Sequence, residues 1–122
     1  MDKVAGGIGW FEVGTTDPEG AQRFYGELFG WTFRKDEGAM DYREITTVAG
    51  NGPAGGVYGH GGELPTYAIF YVKVDDVGRT VERAEELGGK VLLPAVATPD
   101  GLVFAHLADA DGSRFGVYSA AE

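Results

Sequence analysis

Short stretches of alternating apolar and polar residues along the chain predict strands, and two longer stretches with helical spacing predict helices. Residues 8–14 and 67–74 are rich in Ile, Val, Phe, Tyr and Trp, as half-buried strands are. An aspartate follows each of them, Asp17 before Pro18 and Asp76 before Val77. Aspartate side chains accept hydrogen bonds from unpaired N–H groups at helix starts, so we expect a helix to begin at each of these points.

The predicted helices each carry one apolar stripe that would pack on a sheet. The stripe in the first helix follows the i, i+3, i+4, i+7 spacing and consists of Ala21, Phe24, Tyr25 and Leu28. This spacing assigns Phe24 and Tyr25 to the core between helix and sheet. In the second helix the corresponding residues are Val77, Val81, Ala84 and Leu87. Gly30 and the pair Gly88–Gly89 would end the two helices, because glycine readily adopts a positive φ.

Three further short strands are predicted after each helix. They cover about residues 31–35, 41–48 and 54–58 in the first half, and 90–97, 102–108 and 114–119 in the second. Turn-forming residues separate them, at Glu37-Gly38, Asn51-Gly52-Pro53, Pro99-Asp100-Gly101 and Asp109-Ala110-Asp111-Gly112.

The two halves of the chain are related by an internal repeat. A shift of 59 residues superimposes Phe11 on Phe70, Val13 on Val72 and Asp17 on Asp76 without a gap, with further identities later in the helix. We therefore predict an α+β fold of two tandem βαβββ units, about 6–58 and 66–119, joined by a linker at 59–65. Together they would form a single domain over residues 1–122.

Composition and charge narrow the possible functions. The 122 residues include no cysteine, which excludes disulfides, thiolate metal sites and cysteine nucleophiles. A net charge of −9 disfavours nucleic acid and anionic membranes as partners. No apolar run approaches the roughly 20 residues of a membrane span, and no basic, apolar leader opens the chain. We expect a soluble cytoplasmic protein.

The motif "DPEGAQRFYGELFGW", the mid-chain "YVKVDDVGRTVERAEELGGKV" and the late "LADADGSRFGVY" together resemble the vicinal oxygen chelate superfamily. This superfamily includes glyoxalase I, bleomycin-resistance proteins and extradiol dioxygenases. The resemblance covers essentially the whole chain. It implies a curved mixed sheet that forms a cup for a ligand or metal, and it implies a homodimer. It does not specify a reaction, because the fold hosts isomerases, lyases, dioxygenases and binding proteins.

The metal-ligand positions of the superfamily are not retained. The resemblance places its histidines where this chain has Trp10 and Ile69, and its carboxylate where this chain has Gly116. The first-half counterpart of that carboxylate falls between Gly56 and Tyr58. A divalent ion held by nitrogen and oxygen ligands needs about three protein donors. We therefore expect no metal and no cofactor, unless His60 and His106 form a different site with Glu12 or Glu44.

Strand alternation predicts which side chains line the cup instead. Those assigned to the face away from the helices form an aromatic pocket with a few polar groups, suited to a flat or partly apolar small molecule. The predicted ligand-binding residues are Trp10, Glu12, Tyr42, Glu44, Tyr67, Ile69, Tyr71, Phe104, His106 and Tyr118.

Glu12 and His106 leave two interpretations open. Glu12 is either a structural carboxylate paired with Arg114 or Lys73, or a base whose pKa is tuned by desolvation beside His106. Trp10 either stacks on a ligand or fills space that a metal once occupied. These readings predict a metal-independent binding protein that sequesters an aromatic or hydrophobic, neutral or cationic ligand. The alternatives are an enzyme of the superfamily (glyoxalase-like, dioxygenase-like or a metal-free isomerase using Glu12 and His106) and an interaction module.

Overall fold

The fold follows the predicted tandem order of elements. The computed structural model describes residues 5–38, 40–48 and 52–120. Its elements are β1 (Ile8–Thr15), α1 (Pro18–Phe29), β2 (Thr32–Lys35), β3 (Asp41–Thr46), β4 (Gly55–Gly59), β5 (Tyr67–Lys73), α2 (Val77–Glu86), β6 (Lys90–Ala97), β7 (Val103–Ala108) and β8 (Arg114–Ser119). The order is βαβββ twice, which confirms the predicted α+β class.

Both helices begin and end as the sequence predicts. The Asp17 carboxylate accepts a hydrogen bond from the N–H of Gly20 at 3.0 Å, and Asp76 accepts one from Arg79 at 3.0 Å. These bonds satisfy N–H groups that the first turn of a helix leaves unpaired. Gly30 stops α1 with a φ of 76°, and Gly88 follows α2 with a φ of 97°.

Contacts divide the chain into two compact units. The first unit is Trp10–Ala68, and the second contains the residues up to Gly9 together with those from Ile69 onwards. The division falls two residues into β1 and two residues into β5, so Tyr67 belongs to the first unit.

The first unit contains a four-stranded mixed sheet in the order β2-β3-β4-β1. Strand β1 runs parallel to β4, and the other neighbours are antiparallel. Its core is formed by Val13, Ile45 and Val57, with the aromatic rings of Phe11, Tyr25, Trp31 and Phe33 packed around them. Phe11 and Val13 therefore face the helix, and Trp10 and Glu12 lie on the opposite face of β1, as predicted.

The second unit repeats this arrangement with the order β5-β8-β7-β6. Strands β5 and β8 are parallel, and β6, β7 and β8 pair antiparallel. Its core contains Val77 from α2 together with Ala105, Leu107 and Val117 from the sheet. The odd-numbered residues of β7 and β8 thus face the helix, which leaves the predicted residues Phe104, His106 and Tyr118 on the other face.

The helix stripes are wrong at three positions, and the linker lies one residue later than predicted, at 60–66. Phe24, Leu28 and Leu87 are exposed by 61%, 58% and 65%, so only part of each stripe meets its sheet. Gly59 still belongs to β4, so the linker begins at His60. The predicted turn at 51–53 begins with Asn51, which lies outside the described residues. Among those described, no helix is both long and apolar enough to cross a membrane.

Candidate functional site

The first unit buries a carboxylate under two tyrosine hydroxyls. Glu12 is 7% exposed, and its two oxygens accept hydrogen bonds from Tyr42 Oη at 2.9 Å and Tyr67 Oη at 2.6 Å. Trp10 Nε1 donates to Tyr42 Oη at 2.8 Å, so the indole, phenol and carboxylate form one chain. Hydrogen bonds to a charged acceptor are stronger than neutral ones. The sequence-predicted residues Trp10, Glu12, Tyr42 and Tyr67 are thus brought together.

Glycines make room for these tyrosine rings. The ring of Tyr42 lies against Gly56, which pairs with Glu12 between β1 and β4, and the ring of Tyr67 lies against Gly14. At either glycine, a β-carbon would overlap the tyrosine ring that covers it. The missing side chains therefore allow both phenols to reach Glu12.

The phenols around Glu12 are held in their protonated form. Burial raises the pKa of Tyr42 well above its ordinary value, and the negative charge of Glu12 raises it further. The pKa of Tyr58 is also raised, first by burial and then by the charges of Glu63 and Glu12. At neutral pH these tyrosines are hydrogen-bond donors beside an acidic group.

His60, considered from the sequence only as a possible metal ligand, is a buried residue of this site. Its Nδ1 accepts a hydrogen bond from the Gly62 N–H at 3.1 Å, so the neutral ring carries its proton on Nε2. That Nε2 is buried and has no hydrogen-bond partner among the described residues. The ring stacks on Tyr67 with centroids 6.5 Å apart and lies 6.0 Å from Tyr58.

Alternation along β4 could have identified both residues. Val57 faces the helix, so Gly56, Tyr58 and then His60 follow on the opposite face. The predicted strand ended at residue 58, so His60 fell in the predicted linker.

Glu44 lies on the same face of β3 but is already engaged. Its Oε1 contacts Arg34 Nη2 at 3.1 Å across the β2–β3 pair, where the arginine side chain is 83% exposed. The Glu44 side chain is 34% exposed, so water screens its charge and it is a weaker candidate for binding than the buried Glu12.

In the second unit, Arg114, His106 and Tyr71 form a hydrogen-bonded chain. Arg114 Nη1 lies 2.9 Å from His106 Nδ1, and Tyr71 Oη lies 2.6 Å from His106 Nε2. Because a guanidinium only donates, His106 Nδ1 must accept, which places the ring proton on Nε2 pointing at Tyr71 Oη. Burial, and secondarily the charge of Arg114, lowers the pKa of His106 to about 4. The imidazole is therefore neutral at physiological pH.

The remaining predicted residues of the second unit surround this chain. The Tyr118 ring meets Tyr71 edge-to-face with centroids 6.3 Å apart, and Phe104 pairs with Tyr118 between β7 and β8. Ile69 is 8% exposed on β5. The alternation used for β5, β7 and β8 thus groups these side chains on one face, as predicted.

The donor set does not fit the metal centre of the superfamily. Gly116 stands at the carboxylate position, and the Tyr71 ring occupies the space that a β-carbon there would need. Trp10 and Ile69 stand at the histidine positions. Across residues 5–38, 40–48 and 52–120, no three or more His, Asp or Glu side chains are grouped so that they could hold a metal ion.

Comparison with known proteins identifies the family. The profile described as "Glyoxalase/Bleomycin resistance protein/Dioxygenase superfamily" matches residues 7–117. The chain belongs to this superfamily. The match spans both βαβββ units and confirms the resemblance drawn from the sequence motifs.

Several superfamily relatives are similar to nearly all of this chain. A glyoxylase-like domain-containing protein of Didymella fabae is 31% identical over 118 residues, covering 92% of each chain. CFP32 of Mycobacterium tuberculosis, provisionally named a glyoxylase, is 28% identical over 120 residues, which is 91% of this chain and 44% of CFP32. The anthracycline biosynthesis protein DauV of Streptomyces sp. strain C5 is 37% identical over 121 residues, 93% of this chain and 42% of DauV. The chain thus spans less than half of CFP32 and DauV.

Solved superfamily structures have the same fold. Methylmalonyl-CoA epimerase from Mycobacterium tuberculosis aligns with a TM-score of 0.63 over 100% of this chain and 94% of the epimerase. Sequence identity is 11%, so the likeness concerns the fold alone.

Proposed function

We propose that this chain is a metal-independent small-molecule-binding protein whose ligand is flat, aromatic or hydrophobic, and neutral or cationic. The observation that carries the proposal is the Glu12 carboxylate, buried under the hydroxyls of Tyr42 and Tyr67 and next to Trp10. A pocket of aromatic rings with a few oriented polar groups is typical of small-molecule sites. The cellular role we infer is sequestration.

The charges around Glu12 favour a cationic group on the ligand. Tyrosine and tryptophan faces attract cations, by about 0.5–2 kcal/mol depending on desolvation. The ionised form of Glu12 adds a negative charge to the same group of aromatic rings. The whole chain carries a net charge of −9, which disfavours a phosphorylated ligand at this site.

His60 adds a second requirement for the ligand, a hydrogen-bond acceptor. A buried N–H donor without a partner costs about 1–3 kcal/mol, which an acceptor atom on a ligand would recover. Nε2 of His60 lies in the same aromatic cluster as Tyr58 and Tyr67. We therefore expect the ligand to combine a flat ring system with a carbonyl or ether oxygen. Two relatives are named as anthracycline biosynthesis proteins, and anthracyclines are flat polycyclic compounds of this kind.

Calorimetric titration with three planar probes tests the proposal: cationic proflavine, neutral acridone and anionic anthraquinone-2-sulfonate. Proflavine should bind best and anthraquinone-2-sulfonate worst. Trp10→Ala should weaken proflavine binding by about tenfold or more, because stacking and buried aromatic area are lost together. Glu12→Gln should weaken the binding of proflavine but not that of acridone.

Phe24→Ala is the matched control, because Phe24 is an exposed aromatic residue on α1. The affinity of this variant for proflavine should equal that of the unmodified protein. Binding that is independent of Trp10 and Glu12, or no binding of any planar probe, would contradict the proposal.

A second candidate function is metal-free proton transfer, which the Arg114–His106–Tyr71 chain favours. An efficient general base has a pKa near the working pH, so a His106 pKa of about 4 makes it a poor base. Its Nε2–H instead stabilises charge on Tyr71 Oη, which would make Tyr71 the proton donor and His106 a positioning residue. Deuterium exchange from D₂O into carbonyl compounds with acidic C–H bonds, lost in Tyr71→Phe, would support this function. Absence of exchange would leave binding alone.

The homodimer implied by the superfamily is also a proposal. Exposed apolar side chains, Leu28 on α1 at 58% and Leu87 at the end of α2 at 65%, are compatible with contact to a second copy. Sedimentation velocity over a hundredfold concentration range should give a dimer mass. A monomer throughout would contradict it.

A further inference from the structure

We infer that the first unit has a second, separate binding site for a small oxyanion, a phosphate or carboxylate group, in the cavity between α1 and the β2–β3 pair. The cavity measures about 340 Å³ and is lined by Glu19, Gln22, Arg23, Phe33, Lys35 and Arg43. Arg43 and Ile45 alternate with Tyr42 and Glu44 along β3, so Arg43 points to the helix side. The cavity therefore opens on the face opposite to Glu12.

Arg43 is the reason to expect a ligand there. Its side chain is 9% exposed, yet its Nε has no hydrogen-bond partner among the described residues. Its Nη1 donates a hydrogen bond to Gln22 Oε1 at 3.3 Å, which is long for a charged donor. The nearest carboxylate oxygen, Asp41 Oδ1, lies 4.0 Å from Nη2, beyond hydrogen-bond distance, and is itself buried without a partner. The guanidinium is thus buried, and its Nε–H has no acceptor among the described residues.

The surrounding charges select an anion. Arg23 and Lys35 line the cavity beside Arg43, against one lining carboxylate, that of Glu19. Three of the ten Lys and Arg residues are thus gathered here, in a chain whose net charge is −9. Guanidinium groups bind planar or tetrahedral oxyanions through two parallel N–H bonds. A phosphate or carboxylate group would supply the acceptors that Gln22 and Asp41 do not.

The cavity walls limit what else the ligand carries. Phe33 forms an apolar side, and the volume lies at the lower end of the range for small-molecule sites. The site therefore fits a free oxyanion or a small molecule that carries one. This inference is independent of the proposed function, because the two sites lie on opposite faces of β3.

Amide-detected NMR titration of the full chain with inorganic phosphate tests the site, at constant ionic strength and with sodium acetate and sodium chloride as comparison salts. Phosphate should produce saturable shifts at residues of α1, β2 and β3 around the cavity. Saturation by phosphate alone would identify a phosphate site, and saturation by acetate as well would identify a general oxyanion site. Chloride should produce no saturable shift.

Three variants make the test specific. Arg43→Gln should weaken phosphate binding by about tenfold or more, and Lys35→Gln should weaken it several-fold through loss of one charge. Arg34→Gln is the matched control, because Arg34 lies next to Lys35 on β2 but is exposed and paired with Glu44. This variant should bind phosphate as well as the unmodified protein does. If Arg43→Gln does not fold, the phosphate affinity of Lys35→Gln compared with that of Arg34→Gln tests the inference. Equal binding by all variants, or no saturation up to about 50 mM phosphate, would overturn the inference.

Discussion

Acid should destabilise the protein through His106 at pH values well above those at which exposed carboxylates titrate. In the folded chain the pKa of His106 is lowered to about 4, by burial and then by Arg114, whereas an unperturbed histidine titrates at 6.5. Between pH 4 and 6.5, His106 binds a proton in the unfolded state but not in the folded state. Stability is therefore present above pH 6.5 and is lost as the pH falls towards 4. At 1.36 kcal/mol per pKa unit, acidification from pH 7 to 5 should remove roughly 2 kcal/mol.

Urea unfolding of the unmodified protein and of His106→Gln between pH 7 and 4.5 measures this effect. Glutamine retains a donor close to the position of Nε2 but does not titrate, so the difference between the two proteins isolates His106. The variant should be less stable at pH 7, and the gap should narrow by roughly 2 kcal/mol by pH 5. The chain contains two histidines, so an NMR titration of the ring nitrogens gives the pKa directly. A stability gap that does not change with pH, or a His106 ring that titrates between pH 6 and 7, would refute the reasoning.

Three further changes test the packing and hydrogen bonds. Gly116→Ala should lower the free energy of urea unfolding by about 1–3 kcal/mol, because its β-carbon overlaps the Tyr71 ring. The control Gly78→Ala, on an exposed face of α2, should leave stability unchanged or slightly raised. Equal losses of stability in both variants would contradict the overlap. Asp17→Ala should lower stability by about 1 kcal/mol, because the bond from the Gly20 N–H is lost, whereas Asp17→Asn should keep most of that stability. Equal stability of the two variants would contradict a capping role. Tyr67→Phe should cost about 1.5–3 kcal/mol, because Glu12 loses a charge-assisted bond; a loss below about 0.5 kcal/mol would show that this bond is unimportant.

The elements and their faces could be predicted from sequence because local chemistry determines them. Asp17 and Asp76 cap helices with their own side chains, and alternation on β1, β7 and β8 depends only on the period of a strand. Phe24 and Leu28 were assigned wrongly because helical spacing defines a common face but not how much of that face the sheet covers. That width is decided by neighbouring strands far away in sequence.

The site was predictable residue by residue but not as a network. Alternation placed Glu12 and Tyr42 on one face, whereas their hydrogen bond depends on the register of β3 and β4 and on the space above Gly56. His60 was not predicted to line the aromatic site because it lies just beyond β4, where a periodic pattern ends. The tautomer of His106 required the positions of both Arg114 and Tyr71, which sequence spacing does not provide.

The tyrosine rings that lie against glycines also constrain how this site can evolve. A side chain at position 116 overlaps the Tyr71 ring, and a smaller residue in place of Tyr71 leaves a buried void and removes the bond to His106 Nε2. Each substitution alone lowers stability, so positions 71 and 116 would have to change together. A lineage that returned to a carboxylate at position 116 would have to cross an intermediate of lower stability. A carboxylate at position 116 therefore requires a compensating substitution of Tyr71, and either change alone lowers stability.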